Sequence, residues 1–263
     1  MTITLSHQDT TYTCDLARPI DCSIPVGQVK CFHSTDYKAT PYRAGDFVGS
    51  VKAGAPVNFY DVVLNPHGNG THTECLGHIT EAQESVNAAL EQYHFIAGVL
   101  SIHITTLQDG DRIIEKQHLE DGYKKSGYDQ SRPEAIMIRT IPNGTDKLTI
   151  DYSDTNPPYL TPEAMTYLVE MGVKHLLLDL PSVDREYDEG KLVCHHIFWN
   201  VEGHTASTDS RHNHTITEMI YIPDGVTDGL YLLNLQIPSL ELDAAPSKPV
   251  IYQLTQVNTH DSK

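Results

Sequence analysis

The sequence predicts an α/β fold, a compact single domain with a mixed β-sheet and flanking helices. Two observations lead to this expectation: strand-like and helix-like segments alternate in the middle of the chain, and strand-like segments dominate both ends. A chain of 263 residues is long enough to bury a full core, and no stretch has the composition of a linker. We therefore expect residues 1–263 to form one domain.

The first elements are predicted from β-branched residues and capping signals. In chain order they are a short strand over 61–67 that leads into a turn, a helix from Thr80 to about Tyr93, a strand over 99–107 and a helix from Asp111 to about Lys124. The helix start at Thr80 is predicted because Thr80 and Gln83 have the spacing of a capping box.

The clearest unit is a strand–helix–strand segment in the middle of the chain. Residues 134–140 predict a buried strand. Thr161 suits the N-cap of the helix, Pro162 its first position and Gly172 the residue beyond its end. Residues 174–180 are almost continuously apolar, as is typical of a strand covered on both faces. Two later strands are predicted over 216–223 and 229–238, and polar surface loops over 33–57 and 203–214.

The composition excludes several classes of protein. The formal net charge of −17 repels phosphate backbones and anionic membranes, so we expect neither nucleic-acid nor membrane partners. No stretch approaches the roughly 18 uninterrupted apolar residues that a membrane span needs. The five cysteines are an odd number without a CxxC pair, and the opening residues lack the pattern of a secretory signal. These features favour a cytoplasmic protein with reduced thiols.

The residues that carry chemistry lie in the segment 65–80, NPHGNGTHTECLGHIT. Within twelve positions it contains three histidines and a glutamate, namely His67, His72, Glu74 and His78, with glycines between them. Imidazole nitrogens and a carboxylate suit zinc or a similar divalent ion. His72 and Glu74 are two residues apart, so their side chains point the same way on an extended segment. The segment therefore predicts a metal site built from His67, His72 and Glu74.

Such a site indicates hydrolytic chemistry. A catalytic zinc ion has three protein ligands as a rule and binds a water, whose pKa it lowers from about 15.7 toward about 7. The resulting hydroxide would attack a carbonyl that the metal also polarises. His78 lies four residues beyond Glu74 and would act as general base or acid, carrying a proton to the leaving nitrogen of a small amide.

The segment also resembles the motif HxGTHxDxPxH of the metal-dependent cyclase family, which includes bacterial kynurenine formamidases and isatin hydrolase. Gly70, Thr71, His72 and His78 match that motif at its spacing. Further segments that resemble the family lie at 15–26, 161–184, 194–200 and 215–225. The chain departs from the motif in three ways: His67 and His72 are five apart rather than four, Glu74 replaces an aspartate, and Leu76 replaces a proline.

The resemblance implies a second set of ligands and a reaction. By position the additional ligands are His195, or alternatively His196, and Glu218, joining one ion or holding a second. Zinc is the expected ion and manganese the alternative. The implied fold is kynurenine formamidase-like, of the swivelling β/α/β type, in a homodimer or homotetramer. The implied substrate is a small molecule, N-formyl-kynurenine, cleaved to kynurenine and formate in tryptophan breakdown.

Two other functions stay open at this point. The first is opening of a cyclic amide or lactone by the same attack, as the resemblance to isatin hydrolase implies. The second is a non-catalytic, metal-binding member of the family, which the longer turn and Glu74 favour and His78 opposes. The chain lacks a GxSxG elbow, a Walker loop and a dinucleotide fingerprint, which excludes the corresponding enzyme classes.

Other reactive or aromatic side chains are expected to be structural. Trp199, the only tryptophan, is expected in the core rather than in the wall of an aromatic pocket. Cys75 faces away from its neighbours on an extended segment and is expected to be a buried thiol. His204, His212 and His214 are expected on a solvated loop rather than around a further ion.

Overall fold

The computed structural model describes residues 1–128 and 132–257. The strands within these ranges are β1 (Thr2–His7), β2 (Thr10–Asp15), β3 (Ile20–Asp21), β4 (Lys38–Pro41), β5 (Arg43–Ala44), β6 (Phe47–Val48), β7 (Tyr60–Val63), β8 (His72–Glu74), β9 (His94–His103), β10 (Thr105–Thr106), β11 (Arg112–Ile114), β12 (Ala135–Ile141), β13 (Tyr159–Leu160), β14 (His175–Leu178), β15 (Thr215–Glu218), β16 (Gly229–Gln236), β17 (Ala244–Pro246), β18 (Lys248–Gln253) and β19 (Thr255–Gln256).

Helices are short and few in the described chain. The α-helices are α1 (Val86–Ala89), α2 (Lys116–Ser126), α3 (Pro162–Glu170) and α4 (Val193–Trp199), and 3₁₀ turns lie at Val51–Ala53, Leu76–Ile79 and Thr145–Leu148. No helix in the described ranges is long and apolar enough to cross a membrane.

A mixed sheet forms the centre of the molecule, as the sequence predicts. Within the described residues it has nine strands in the order β17-β8-β15-β14-β12-β9-β16-β18-β3. Its middle is parallel, since β9, β12, β14 and β15 run the same way, and the strands on either side of them pair antiparallel. All four residues of β14 are buried, which explains its continuous apolar sequence.

The two faces of the sheet bury different clusters. Ile136 and Ile138 of β12 join a large cluster that includes side chains from α2, α3 and α4. Met137, between them, points to the other face and packs with residues of β9, β16 and β18. This alternation follows from the two-residue period of a strand.

Helix α3 confirms the predicted strand–helix–strand unit. The Thr161 hydroxyl accepts a hydrogen bond from the Ala164 N–H at 3.2 Å, and Pro162 is the first helical residue. Gly172 adopts φ +83°, the left-handed conformation that commonly follows a helix end. Because these signals act within one turn of the chain, their effect did not depend on distant packing.

The helix predicted from Thr80 to Tyr93 is wrong. Only the single turn α1 is helical, and its N-cap is Ser85, whose hydroxyl accepts the Asn87 N–H. Gln83 has φ +50°, which breaks the helix that a capping box would open. Val86 N–H instead donates to the carbonyl of Leu242, so contacts with a distant segment outweigh the local preference.

Other boundaries also differ from the predictions. The helix predicted from Asp111 begins at Lys116, because Arg112–Ile114 form strand β11, which pairs with β10 and β13. Strand β9 begins at His94 rather than at residue 99, and the predicted strand over 216–223 ends at Glu218. The predicted loop over 33–57 contains the short strands β4, β5 and β6 and carries exposed aromatic and aliphatic side chains.

The strand register brings the histidine and glutamate residues of the sequence motif to one corner of the sheet. Strand β8 lies between β15 and β17, so that His72 is opposite Glu218 and Glu74 is opposite both Ile216 and Ala244. Three segments therefore meet beside β8: the carboxyl end of β15, the segment after β14 and the residue before β17.

Candidate metal centre

Strand β8 supplies the buried base of the site. His72 is fully buried and Glu74 is 1% exposed, and both point to the same side of the strand, as their two-residue spacing predicts. Glu218, across from them at the end of β15, lies with its Oε2 3.4 Å from His72 Nε2. The Glu218 Oε1 accepts the Val183 N–H at 3.1 Å, which fixes the orientation of the carboxylate.

The glycine-rich turn before β8 brings His67 to the same place. A Cβ on Gly68 would lie 2.1 Å from the Ser34 hydroxyl oxygen, and one on Gly70 would lie 3.0 Å from the backbone of Val26. The turn therefore packs too closely for side chains at these two positions. As a result His67 Nδ1 lies 3.0 Å from Glu74 Oε2, despite the extra residue in the turn.

Asp243 bridges two of the histidines from the residue preceding β17. Its Oδ2 lies 2.8 Å from His67 Nε2 and 3.3 Å from His78 Nδ1. The other nitrogen of His78, Nε2, lies 4.0 Å from Glu74 Oε2. His78 is 30% exposed, so it faces both the buried carboxylate and the solvent side of the site.

Helix α4 provides His195, and the structure distinguishes it from its neighbour. His195 Nε2 lies 3.2 Å from Glu74 Oε1, and its Nδ1 lies 2.6 Å from Asp184 Oδ2. The two oxygens of Asp184 also accept the Cys194 and His195 backbone N–H groups, which anchors the start of the helix. His196 turns away, with its Nδ1 2.9 Å from the Val201 carbonyl.

All four imidazoles of the site share one arrangement. Each has one ring nitrogen held by an outer acceptor: Asp243 for His67 and His78, the Gly70 carbonyl for His72, and Asp184 for His195. The remaining nitrogen of each ring points toward Glu74 or Glu218. Histidines that bind metals are oriented in this way, because the outer partner fixes the tautomer and leaves the inner nitrogen unprotonated.

The charges of the site are strongly coupled. Burial alone would lower the pKa of His67, but the hydrogen bond with Asp243 and the nearby charge of Glu74 raise that pKa to about 10. Asp184 and Glu74 likewise outweigh burial at His195 and raise its pKa to about 10. Burial raises the pKa of Glu218, and the neighbouring Glu74 charge adds to this effect. The buried carboxylates thus require positive charge beside them, which protons or a metal ion would supply.

The donor set fits a divalent metal ion. Two groups of ligand atoms, one from His67, Glu74 and His78 and one from His72, Glu74 and Glu218, each lie within 4.8 Å of one another among the described residues. His72 Nε2 and Glu74 Oε2 are buried without a hydrogen-bond partner, a cost that a bound cation would remove. Nitrogen and carboxylate ligands suit zinc or manganese. Glu74 belongs to both groups, so the set accommodates one or two ions.

The site opens into a pocket of about 580 Å³. Its base is formed by His67, Glu74, His78, His195 and Glu218, and its wall by the segment from Ser182 to Leu192 together with Phe32, Ser34 and Asn65. A small molecule fits a space of this size.

The structure brings together all six residues that the sequence singles out: His67, His72, Glu74, His78, His195 and Glu218. Sequence reasoning missed Asp184 and Asp243, the two carboxylates that hold the histidines from outside. Asp184 ends the segment 161–184 that resembles the family, and this was a usable signal. Asp243 stands alone in a loop, and nothing around it in the sequence indicates its partners.

We expect Asp243→Asn to weaken zinc binding by about tenfold to a hundredfold, because an amide nitrogen would face His67 or His78 where a carboxylate oxygen now accepts. Titration of the metal-free protein with zinc, using a competing chelator, measures this. Asp224→Asn is a matched control, since the Asp224 carboxylate accepts a hydrogen bond from Asn143 and is not part of the described pocket lining. Equal zinc affinity in Asp243→Asn and the parent would contradict the assignment.

The residues expected to be structural lie outside the pocket lining. Trp199 is fully buried and donates its indole N–H to the His214 carbonyl. The Cys75 thiol is buried against the Glu84 carbonyl, and burial raises its pKa to about 12. His212 pairs with Glu84 instead of joining a metal cluster within the described chain. All five cysteines are free and buried.

The protein has a mixed α/β fold and a buried histidine–carboxylate centre below an open pocket. These features are those of an enzyme with a candidate metal site. The chain belongs to the putative cyclase family, whose model matches residues 4–185.

Relatives with assigned names match most of the chain. It is 26% identical over 220 residues to the kynurenine formamidase of Bordetella petrii, covering 82% of this chain and 90% of that protein. It is 25% identical over 198 residues to the kynurenine formamidase of Bacillus thuringiensis, covering 74% and 80% respectively.

Solved structures share the fold. Isatin hydrolase A from Ralstonia solanacearum superimposes with a TM-score of 0.61 at 15% identity, over 89% of this chain and 91% of that one. A potential metal-dependent hydrolase with cyclase activity gives 0.60 at 13% identity, over 89% and 97%. At these identities the similarity concerns the fold, and it confirms the predicted fold class.

Proposed function

We propose that this cyclase-family hydrolase cleaves the carbon–nitrogen bond of a small aryl formamide, converting N-formyl-kynurenine to kynurenine and formate. The observation that carries the proposal is the arrangement of the four imidazoles, each held from outside and aimed at Glu74 or Glu218 at the base of the pocket. The kynurenine formamidases among its relatives support the choice of substrate.

The metal ligands in this proposal are His67, His72 and Glu74, with His195 and Glu218 joining the same ion or holding a second. Zinc is the proposed ion and manganese the alternative. A divalent ion bound there supplies two effects, a lowered pKa for water and polarisation of the amide carbonyl. Glu218 is fixed by the Val183 N–H and His195 by Asp184, so these side chains are preorganised and need little rearrangement.

His78 is the proposed proton carrier. Asp243 accepts from its Nδ1–H, which leaves Nε2 as the basic nitrogen on the side of Glu74. His78 also lines the pocket, so Nε2 can accept the proton of the water that attacks the carbonyl and deliver it to the amine nitrogen as the C–N bond breaks. A formamide needs this second transfer, because an aryl amide anion is a poor leaving group.

Opening of a cyclic amide or lactone is the alternative activity. The same residues would hold the carbonyl and carry the proton, and isatin hydrolases share the fold. Comparing rates on N-formyl-kynurenine, isatin and a simple aryl lactone separates the two activities. A protein that binds metal and turns over none of the three would be the non-catalytic member of the family.

The test of the proposed function compares the purified, untagged parent protein with His72→Ala. We expect near-stoichiometric zinc or manganese and hydrolysis of N-formyl-kynurenine in the parent, and loss of both in the variant, because His72 is buried with its Nε2 facing both carboxylates. His212→Ala is the control, since His212 lies on the surface and pairs with Glu84. A parent without metal after incubation with both ions would refute the proposal.

We also propose that the protein is a cytoplasmic homodimer or homotetramer without nucleic-acid or membrane partners. The two-stranded sheet of β4 and β7 and the residue before β7 expose apolar side chains, among them Phe59, Tyr60, Val62 and Val63, which are 45–56% exposed. An isolated two-stranded sheet is marginal in water, so coverage by a second copy would stabilise it. The free, buried thiols suit a reducing compartment. Sedimentation equilibrium measures the oligomeric state.

A further inference from the structure

Among the described residues that line the pocket, Arg185 is the one permanently cationic side chain. It follows Asp184, which holds His195, and the preceding residue Val183 donates its N–H to Glu218. The backbone that carries Arg185 is thus tied directly to the candidate metal centre. Its guanidinium is part of the pocket wall.

The guanidinium is oriented by a partner that leaves donors unused. Its Nη2 donates to Asp111 at 3.0 Å, and a weaker contact of 3.4 Å joins Nη1 to the Tyr187 carbonyl. The same Asp111 carboxylate accepts from the Asn156 amide and from the Tyr159 hydroxyl, so its charge is shared among three donors. Arg185 is 46% exposed on its side chain, and its remaining N–H groups are open to a ligand.

The acidic residues near Arg185 do not oppose an anion as strongly as their number suggests. Glu186 accepts the backbone N–H groups of Asp154 and Asn156, one on each oxygen. Asp188 similarly accepts those of Gly190 and Leu192. These carboxylates are occupied in holding their own loops.

Glu189, the remaining acid of the wall, is 82% exposed and pairs with Lys191 at 2.7 Å. The anion-attracting group with free donors on this wall is therefore Arg185. The wall also carries apolar surface from Phe32, Tyr187 and Leu192, which suits a flat ring.

We propose that Arg185 is a specificity-determining residue that binds a carboxylate on an aromatic substrate while the scissile amide lies at the metal centre. This inference rests on the proposed function, and it narrows the substrate class to anionic aryl amides. Arginine binds carboxylates through parallel N–H donors, an interaction that lysine reproduces only in charge. Binding of the carboxylate would act on ground state and transition state alike, so it would appear in KM rather than in kcat.

The experiment compares N-formyl-kynurenine with N-formyl-kynuramine, which lacks only the carboxylate, in the parent, Arg185→Gln and Arg185→Lys. We expect Arg185→Gln to raise KM for N-formyl-kynurenine by about tenfold to a hundredfold with kcat nearly unchanged, and to leave KM for N-formyl-kynuramine unaltered. Arg185→Lys should raise KM for N-formyl-kynurenine less than Arg185→Gln does, because lysine keeps the charge. Lys174→Gln, which removes a positive charge that pairs with Glu134 away from this pocket's lining, should leave both KM values unchanged.

If Arg185 only stabilises the fold through its ion pair with Asp111, the result will be different. In that case Arg185→Gln would alter both substrates equally or lower the midpoint of thermal unfolding without substrate discrimination, and either outcome overturns the inference. Calorimetric measurement of ligand binding tests carboxylate binding by Arg185 independently of the proposed hydrolysis. Anthranilate should bind the parent at least about tenfold more tightly than aniline, and Arg185→Gln should remove that preference.

Failure of the proposed function and failure of the inference about Arg185 give different results. Absence of hydrolysis of both formamides by the metal-loaded parent refutes the proposed function, and the anthranilate preference then still decides whether Arg185 binds carboxylates. Hydrolysis of both formamides with equal KM in the parent refutes the inference and leaves the proposed function standing.

Discussion

Replacing Glu74 with glutamine is expected to lower kcat/KM for N-formyl-kynurenine by at least about a thousandfold and to remove bound metal. A thousandfold loss corresponds to about 4 kcal/mol of transition-state stabilisation, which is within the several kcal/mol that a metal ion supplies. Glu74 Oε2 lies 3.0 Å from His67 Nδ1, and Oε1 lies 3.2 Å from His195 Nε2, so one carboxylate serves both ligand groups. The amide keeps its size but loses the charge.

Elemental analysis and steady-state kinetics on the same preparations measure both effects. Glu84→Gln is the matched control, because Glu84 pairs with His212 away from the pocket lining. The thermal unfolding curve shows whether Glu74→Gln remains folded. Metal content at the parent level, with activity reduced less than tenfold, would contradict the shared-ligand assignment of Glu74.

His78→Gln is expected to lower kcat by about a hundredfold to ten-thousandfold while the bound metal stays near the parent content. Glutamine can still hydrogen-bond with Asp243, but it cannot carry a proton at neutral pH. His78 is 30% exposed and its Nε2 lies 4.0 Å from Glu74 Oε2, a position between the buried base and the pocket. Parallel measurement of kcat and metal content separates proton transfer from metal binding.

The same variant also tests the other assignment that the geometry allows. His78 belongs to one of the two groups of neighbouring ligand atoms, together with His67 and Glu74. If His78→Gln loses metal together with activity, His78 is a ligand and the proton must be carried by another group. If both metal and activity persist, His78 has neither function.

Local signals in the sequence predicted the elements whose caps lie within one turn. Helix α3 follows its N-cap Thr161 and ends before Gly172, and β12 and β14 follow their continuous apolar residues. The helix expected from Thr80 failed because backbone pairing of Val86 with Leu242, far along the chain, selected a different conformation. Local preferences therefore determined α3, β12 and β14, whereas tertiary contacts determined the conformation of the segment after Thr80.

Some features of the candidate site were likewise predictable from local sequence, and others depended on tertiary structure. The spacing of His72 and Glu74 placed both side chains on one face of β8, as expected for any extended segment. The choice between His195 and His196 depended on how α4 lies against β8, since adjacent helical residues point in different directions. Asp243 could not be assigned from sequence, because its proximity to His67 results from the pairing of β17 with β8.

The sequence by itself determined the α/β class of the fold and, from short spacing, the candidate ligands His67, His72 and Glu74, whereas His195 and Glu218 came from the family resemblance. Only the tertiary structure decided which histidine of α4 faces the centre, which carboxylates hold the imidazoles from outside, and that Arg185 stands on the pocket wall. The contacts of Glu74 with His195 and of His78 with Asp243 join residues more than a hundred positions apart. Sheet pairing and helix packing set such distances, and a local pattern of residues contains no information about them.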